Sequence, residues 1–267
     1  MCKVLEVSRS SYYKHKGTTK GKRYIENKDL LEKIKKIYKA SCERYGSPRI
    51  TAELKRQGLN CNKKRIARIM RKNGIEARIF RKYRNTTNSE HQKERSANIL
   101  GREFRKEEPN KVWTGDITYI RTEEGWLYLA AVIDIYSRKI IGWQLDKRLD
   151  SDLVEKALKN ALMDRKVEEG IIFHSDQGIQ YASESFRKLL KAHGFIQSMS
   201  RRGNCYDNAV TESFFHTLKT ELIKRNKYKT REEARRSIFE YIEIFYNRKR
   251  LHSSIGYRTP FEFEGVT

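Results

Sequence analysis

The chain has 267 residues, of which 37% are hydrophobic, room for one large domain or two modest ones with some poorly packed stretches between them. Its 58 Lys and Arg against 34 Asp and Glu leave a formal charge of +24, an excess that points to a polyanionic partner, nucleic acid first. No apolar run is long enough to span a bilayer and the N-terminus lacks a signal-peptide core. Cys2, Cys42, Cys61 and Cys205 show neither zinc-ligand nor paired spacing. These features exclude a membrane protein, a disulfide scaffold and a zinc-binding module, and they predict a cytoplasmic protein with reduced thiols.

The charge is uneven. Residues 1–110 hold 31 Lys and Arg against 12 Asp and Glu, a net of +19, leaving +5 for residues 111–267. The front half is predicted to grip phosphate and the rear half to do chemistry. Residues 1–78 read as a helical DNA-binding region. Leu30, Leu31, Ile34, Ile37 and Tyr38 recur at helical spacing. Ser47 and Pro48 then open a short helix with Ile50 and Leu54 inward, ending near Gly58. Asn62 caps the next helix, with Ile66, Ile69 and Met70 on one side and Lys64, Arg65, Arg68, Arg71 and Lys72 over much of the rest, stopped by Gly74. Two short helices around a tight turn, the second rich in Arg and Lys, read as a helix-turn-helix; the plainer alternative is a small bundle with a solvated basic face. Residues 79–108 are sparse in apolar residues and read as a basic linker, with a short helix around 97–104.

From 111 the pattern changes. Residues 112–120, 126–135 and 138–146 read as three consecutive strands joined by turns at 122–125 and 136–138. Ser151 caps a helix to about Met163. A strand at 171–174, a helix at 183–193, a strand at 195–198 and helices at 206–224 and 231–247 complete residues 109–267. The pattern predicts an α/β domain, a mixed sheet flanked by helices, behind an all-α front.

Three acids stand out in it. Asp116 lies mid-strand among β-formers, where a carboxylate is costly unless something pairs with it. Asp134, its rival, precedes a turn and has an ordinary structural use there. Asp176 ends an apolar run and leads into Gln177-Gly178, where strand ends expose reactive groups; its plain alternative is a turn or capping acid. Glu212 falls on the face of its helix opposite the Val210, Phe214, Leu218 and Leu222 stripe, a position that fits a solvated Glu equally well. Glu221 competes with it from beside Leu218. If Asp116, Asp176 and Glu212 converge, they form an oxygen cage for hard dications such as Mg²⁺, and two ions about 3.5–4 Å apart can serve both the attacking and leaving oxygens at phosphorus. Lys219, two turns along the same face, adds a cation suited to a DNA phosphate, and His216 shares that face.

At these residues the chain resembles the DDE transposases of bacterial insertion sequences, in particular the second open-reading-frame products related to retroviral integrases. The matching segments are Trp113-Thr-Gly-Asp116-Ile-Thr-Tyr119, Asp134-Ile-Tyr-Ser-Arg138, His174-Ser-Asp176-Gln-Gly178 with Gln180-Tyr181, and Asp207-Asn-Ala209 leading to Glu212-Ser-Phe-Phe215 and Lys219. Tyr45-Gly-Ser-Pro-Arg-Ile50 in front and Tyr246-Asn-Arg248 through Tyr257-Arg-Thr-Pro260 behind extend the likeness over nearly the whole chain. The resemblance implies a ribonuclease-H-like domain holding two Mg²⁺ or Mn²⁺ through Asp116, Asp176 and Glu212. It implies hydrolysis at a transposon end to free a 3′-OH, then strand transfer by that hydroxyl without a covalent enzyme–DNA intermediate. The implied partners are double-stranded DNA, as terminal inverted repeats and as target, and further copies of the chain assembled on it at the bacterial nucleoid. Many relatives act as a fusion with an upstream frame that adds a helix-turn-helix and a coiled coil; this sequence shows no such segment, which makes an upstream-frame polypeptide a candidate partner. Two departures are a missing His/Cys zinc domain, which retroviral integrases carry, and Gly115, where relatives often have a bulkier residue.

Overall fold

The computed structural model describes residues 2–16, 21–77, 96–201 and 205–265, in two units, Met1–Ala77 and Arg78–Thr267. In the first unit α1 (Arg9–Lys16) precedes three helices that pack on one another, α2 (Lys22–Ala40), α3 (Ser47–Arg56) and α4 (Lys63–Lys72). Most of the apolar residues at helical spacing are buried, Leu30, Ile34 and Ile37 of α2, Ile50 and Leu54 of α3, and Ile66, Ile69 and Met70 of α4, while Leu31 and Tyr38 are only partly so. Pro48 sits in the first turn of α3, and the Asn62 side chain accepts a hydrogen bond from Lys64 N at 2.7 Å to cap α4. Gly58 and Gly74 follow α3 and α4 in the left-handed conformation, as their positions in the sequence require. The front region is all-helical and of helix-turn-helix type.

The second unit is built on five strands in the order β3-β2-β1-β4-β5: β1 (Val112–Thr122), β2 (Gly125–Asp134), β3 (Ile140–Asp146), β4 (Ile172–Ser175) and β5 (Ile196–Met199). The first three form an antiparallel meander; β4 runs parallel to β1, and β5 parallel to β4. Adjacent strand residues point to opposite faces, so Trp113 and Thr114 report on the two sides of the sheet. Trp113 belongs to a buried cluster with Phe173, Leu158 and Leu153 from under α5 (Ser151–Asp164) and Phe186 and Leu190 of α6 (Glu184–Ala192). Thr114 meets α7 (Ala209–Glu221) on the other side. Gly142 of β3 lets α5 come close, because a Cβ there would overlap the Ala157 carbonyl oxygen and Ala161.

Two segments differ from expectation. The helix predicted over 231–247 is α-helical only as α8 (Arg231–Phe239) and continues as a π-helical stretch, Glu240–Tyr246. The wider turn buries Tyr241, Ile242, Phe245 and Tyr246 together, and Tyr246 meets Phe214 of α7 edge to face at 4.9 Å between ring centroids. A short helix, α9 (Pro260–Glu264), follows with a capping box at Thr259. Residues 96–104, read from the sequence as linker with a short helix, are irregular and anchored to the second unit. Ile99 N and Leu100 N donate to Ser198 Oγ at 2.9 and 3.3 Å, and Leu100 is buried with Val112 and Ile135. Those partners lie far away in sequence, where local periodicity cannot register them.

β3 is an edge strand with an irregular register against β2 between Val132 and Ile133. Beside that irregularity the Asn247 side chain donates to Ile140 O and accepts from Ile140 N, both at 3.0 Å, pairing with the strand as another backbone would.

Candidate active site

β1 and β4 are paired from Val112 with Ile172 to Gly115 with Ser175, and there β4 ends. The next residue on each chain is Asp116 and Asp176, so the strand register delivers the two acids side by side on strands about 4.8 Å apart. Both line a recess of about 60 Å³, together with Tyr119, Leu149, Gly178 and Tyr181. Asp116 Oδ1 accepts from Ile117 N at 2.7 Å, and Asp176 Oδ1 from Gly178 N at 3.0 Å. Gly115 leaves room behind them. A Cβ there would stand 2.8 Å from Phe173 Cζ and 3.2 Å from the Tyr181 hydroxyl, which accounts for the small residue at this place.

Glu212 lies in the first turn of α7, and a buried polar knot ties that turn to β1. Thr114 Oγ1 donates to Asn208 Oδ1 at 2.7 Å and lies 2.8 Å from Thr211 Oγ1, which itself donates to Asn208 Oδ1 at 2.9 Å. Thr114 is two residues from Asp116, and Thr211 is next to Glu212. Asp207, just before this turn, accepts from Arg201 Nε and Nη2, Arg102 Nε and Asn98 Nδ2, all within 3.0 Å, and these charges hold its carboxyl far below the usual range. None of Thr114, Asn208 and Thr211 was singled out from the sequence. Their only signal there is the placing of small polar residues immediately before predicted catalytic acids.

The acids feel one another. Burial raises the Asp116 carboxyl well above its ordinary value; Asp176 and Glu212 push it further, and the Ile117 N–H and Lys219 oppose the rise. Glu212 is raised by burial and then by Asp176. Lys219, half-buried on α7, is lowered by burial and partly restored by Asp116. Tyr181 and Tyr119 are raised, first by burial and in part by the same two aspartates, so both phenols stay protonated.

The rival acids are occupied elsewhere. Asp134 is fully buried, accepting from Asn110 N and Tyr136 N at 2.9 Å each with Arg165 at 3.7 Å; burial still raises it to about 6. Glu221 is buried in a bidentate pair with Arg250 and accepts from the Tyr241 hydroxyl at 2.9 Å. Val210, expected on the inner stripe of α7, is only partly buried, and Phe215 takes its place beside Phe214 and Leu218. His216 is exposed. In the first unit Lys64, Arg68, Arg71 and Lys72 are exposed on α4, but Arg65 is turned back to α2, donating to Asn27 Oδ1 at 2.9 Å and Glu26 Oε2 at 3.1 Å.

Among the described residues, no three His, Cys, Asp or Glu side chains stand close enough to hold a metal ion by themselves. The donor set nevertheless fits hard dications. Of three carboxylates within electrostatic reach, Asp116 and Glu212 are raised by burial first and then by their neighbours' charge, which a cation would relieve, and all three offer only oxygen. Among the described residues no helix is long and apolar enough to cross a membrane.

Residues 106–205 and 212–267 match family models described as Integrase core domain, and residues 25–83 match an HTH-like domain. A mixed sheet with acids at its adjoining strand ends, behind a helix-turn-helix front, makes this an integrase-type polynucleotidyl transferase. The chain is 42% identical over 266 residues to the transposase InsF of insertion sequence IS3A from Escherichia coli K12, covering 99% of this chain and 92% of that protein. It is 40% identical over 263 residues to the 31 kDa protein of insertion element IS600 from Shigella sonnei, covering 98% and 97%. A chain of the simian T-cell lymphotropic virus intasome with the PP2A regulatory subunit B56 gamma shares the fold at 18% identity, with a TM-score of 0.51 over 86% of this chain and 73% of that one. The chain belongs to the IS3-family transposases.

Proposed function

We propose that Asp116, Asp176 and Glu212 are the catalytic and metal-holding carboxylates of this transposase. The observation that carries the reading is the strand register that sets Asp116 beside Asp176 at the end of β4, with Glu212 tied to the same strand through Thr211 and Thr114. Bound there, Mg²⁺ or Mn²⁺, two ions per site, would stabilise charge at phosphorus and acidify the attacking hydroxyl. The three carboxylates gather and orient the reacting groups. Asp116 is steered by the Ile117 N–H, and Glu212 by the knot beneath it. The protonated Tyr119 and Tyr181 wall the recess and narrow the access of water. Lys219 faces the phosphate oxygens as a point charge.

Water first attacks the phosphodiester at a transposon end, breaking the bond to the 3′ oxygen and freeing a 3′-OH. That hydroxyl then attacks a target phosphorus; one P–O bond forms as the bond to the target's 3′ oxygen breaks, so the number of phosphodiesters is conserved. On α4, Lys64, Arg68, Arg71 and Lys72 meet duplex DNA at the terminal repeats. Arg65 contributes indirectly, by holding α4 to α2. Copies of the chain assemble on the paired ends at the nucleoid, and an upstream-frame polypeptide is the candidate partner for end recognition.

The test is an assay of purified protein with Mg²⁺ and a labelled duplex cut from the DNA that flanks the gene, scored for nicking and for joining to a plasmid. Asp116→Asn and Glu212→Gln proteins are expected to bind the duplex as the wild type does, while nicking and joining fall on the order of 10³-fold or more. Wild-type-like strand transfer by either variant rejects the assignment.

A further inference from the structure

Beyond Gly115 the β1–β2 hairpin continues without β4 beside it, and its exposed end carries a line of aromatic rings. Tyr119 is paired with Tyr128 and Arg121 with Trp126, so strand alternation puts all four side chains on one face of the hairpin. The Tyr119 ring meets Tyr128 at 5.2 Å and Trp126 at 6.3 Å between centroids, both edge to face. Those contacts hold the indole in place, yet Trp126 is 49% exposed, and Arg121 beside it is exposed as well. A large aromatic surface left in water on a rigid hairpin calls for a ligand.

We propose that Tyr119, Tyr128 and Trp126 form a stacking platform for unpaired nucleobases of the DNA strand whose phosphate lies at the carboxylates. The inference rests on the reading of Asp116 and Asp176 as the catalytic acids. Continuity fixes the occupant: strand alternation puts Tyr119 on the face opposite Asp116, but beyond the end of β4 both line one recess at the open edge of β1, so one end of the platform opens into the site. Along the strand, Tyr119 stands about 10 Å from Asp116 and the Trp126 rung about 17 Å, the rise of roughly three to five nucleotides. Charge agrees, since Arg121 supplies a cation for the backbone of a stacked strand, or for stacking itself. A duplex has no free base faces to offer such rings; a strand end that frays near the scissile phosphate has.

The test uses the full chain and two mixed-sequence duplexes, one fully paired, the other with three unpaired nucleotides at one 3′ end carrying 2-aminopurine. Calcium replaces magnesium, so that binding is read without turnover. Wild-type protein is expected to quench the 2-aminopurine and to bind the frayed duplex more tightly than the paired one. Trp126→Ala should abolish the quenching and weaken binding of the frayed duplex about tenfold, leaving the paired duplex within twofold; Trp126→Tyr should restore both. Equal losses on both duplexes, or no loss on either, overturn the platform. So does a change of oligomeric state by light scattering in Trp126→Ala, which would make this face a protein contact. The catalytic assignment is judged separately: quenching that persists while Asp116→Asn protein nicks and joins in Mg²⁺ as the wild type does retains the platform and removes the carboxylate reading.

Discussion

Helix α7 carries two acids to opposite fates. Near its C-terminal end Glu221 is buried, and its charge is answered in full by a bidentate Arg250 and the Tyr241 hydroxyl. Near its N-terminal end Glu212 looks toward two further carboxylates, with the half-buried Lys219 as the nearby cation that acts on Asp116. The first arrangement spends all its electrostatics inside the fold. The second leaves buried carboxylates within electrostatic reach of one another, a perturbed cluster of the kind found at functional sites. Unit one repeats the contrast: Arg65 is answered by Glu26 and Asn27, whereas Arg68 and Arg71 stay exposed on the same helix.

Substitutions of one acid from each arrangement, Asp116 on β1 and Glu221 on α7, sharpen this division most. Asp116→Asn is expected to lose activity on the order of 10³-fold with stability unchanged or improved, because it removes a carboxylate that burial and its neighbours disfavour. Glu221→Ala should do the reverse, destabilising by ~3–5 kcal/mol through the stranded Arg250, as read by urea unfolding. A Glu221→Ala protein as stable as wild type would erase the distinction.

The next effect is one of pH. His174, fully buried on β4 with its Nδ1 2.9 Å from Ser198 Oγ on β5, is held down to about 4 by burial, against an ordinary 6.5. A depressed pKa means that the folded state resists the proton. Its contribution is therefore complete above about pH 6.5 and drains away as pH falls through 4, for a total of about 3 kcal/mol. Urea midpoints in EDTA at pH 7 and pH 4.5 should fall further in wild type than in His174→Asn; parallel losses would show that other groups drive acid unfolding.

Smaller again is the knot under Glu212. Thr114→Val leaves Asn208 and Thr211 short of a partner and should cost ~1–3 kcal/mol, with a several-fold rise in the Mg²⁺ needed for half-maximal nicking. Thr114→Ser, which keeps the hydroxyl, should return the Mg²⁺ requirement to normal. A raised requirement in both variants would make Thr114 a matter of packing alone. Smallest is the contrast on α4. Losing Arg68 or Arg71 should lower the slope of log affinity against log salt by roughly 0.9 for each phosphate contact removed, while Arg65→Ala should loosen the helical unit and leave the slope as it was. An unchanged slope for Arg68 and Arg71 would move DNA off this face.

Much of this was legible in one sequence, and the gaps have a common cause. Asp116 could be found because a carboxylate among β-formers breaks a local rule. The meander and both caps of the helical region follow from alternation and from Pro48, Asn62, Gly58 and Gly74. Glu212 was not separable by itself from a solvated Glu; only its distance along the chain from Asp176 and the family likeness picked it out. Glu221 lay beside Leu218 on the helical wheel, but Arg250, its partner, is 29 residues further on. The order of residues 96–104 and the switch to π-helix at Glu240 likewise come from contacts across the fold, Ser198 and Asp207 in one case and the aromatic cluster around Phe214 in the other.

Asn247 has a bearing on how the molecule keeps company. By filling both main-chain hydrogen-bonding groups of Ile140 with a single amide, it denies an approaching polypeptide the first rung it would need to extend the sheet. At that rung the β3 edge is closed to growth of sheet onto sheet.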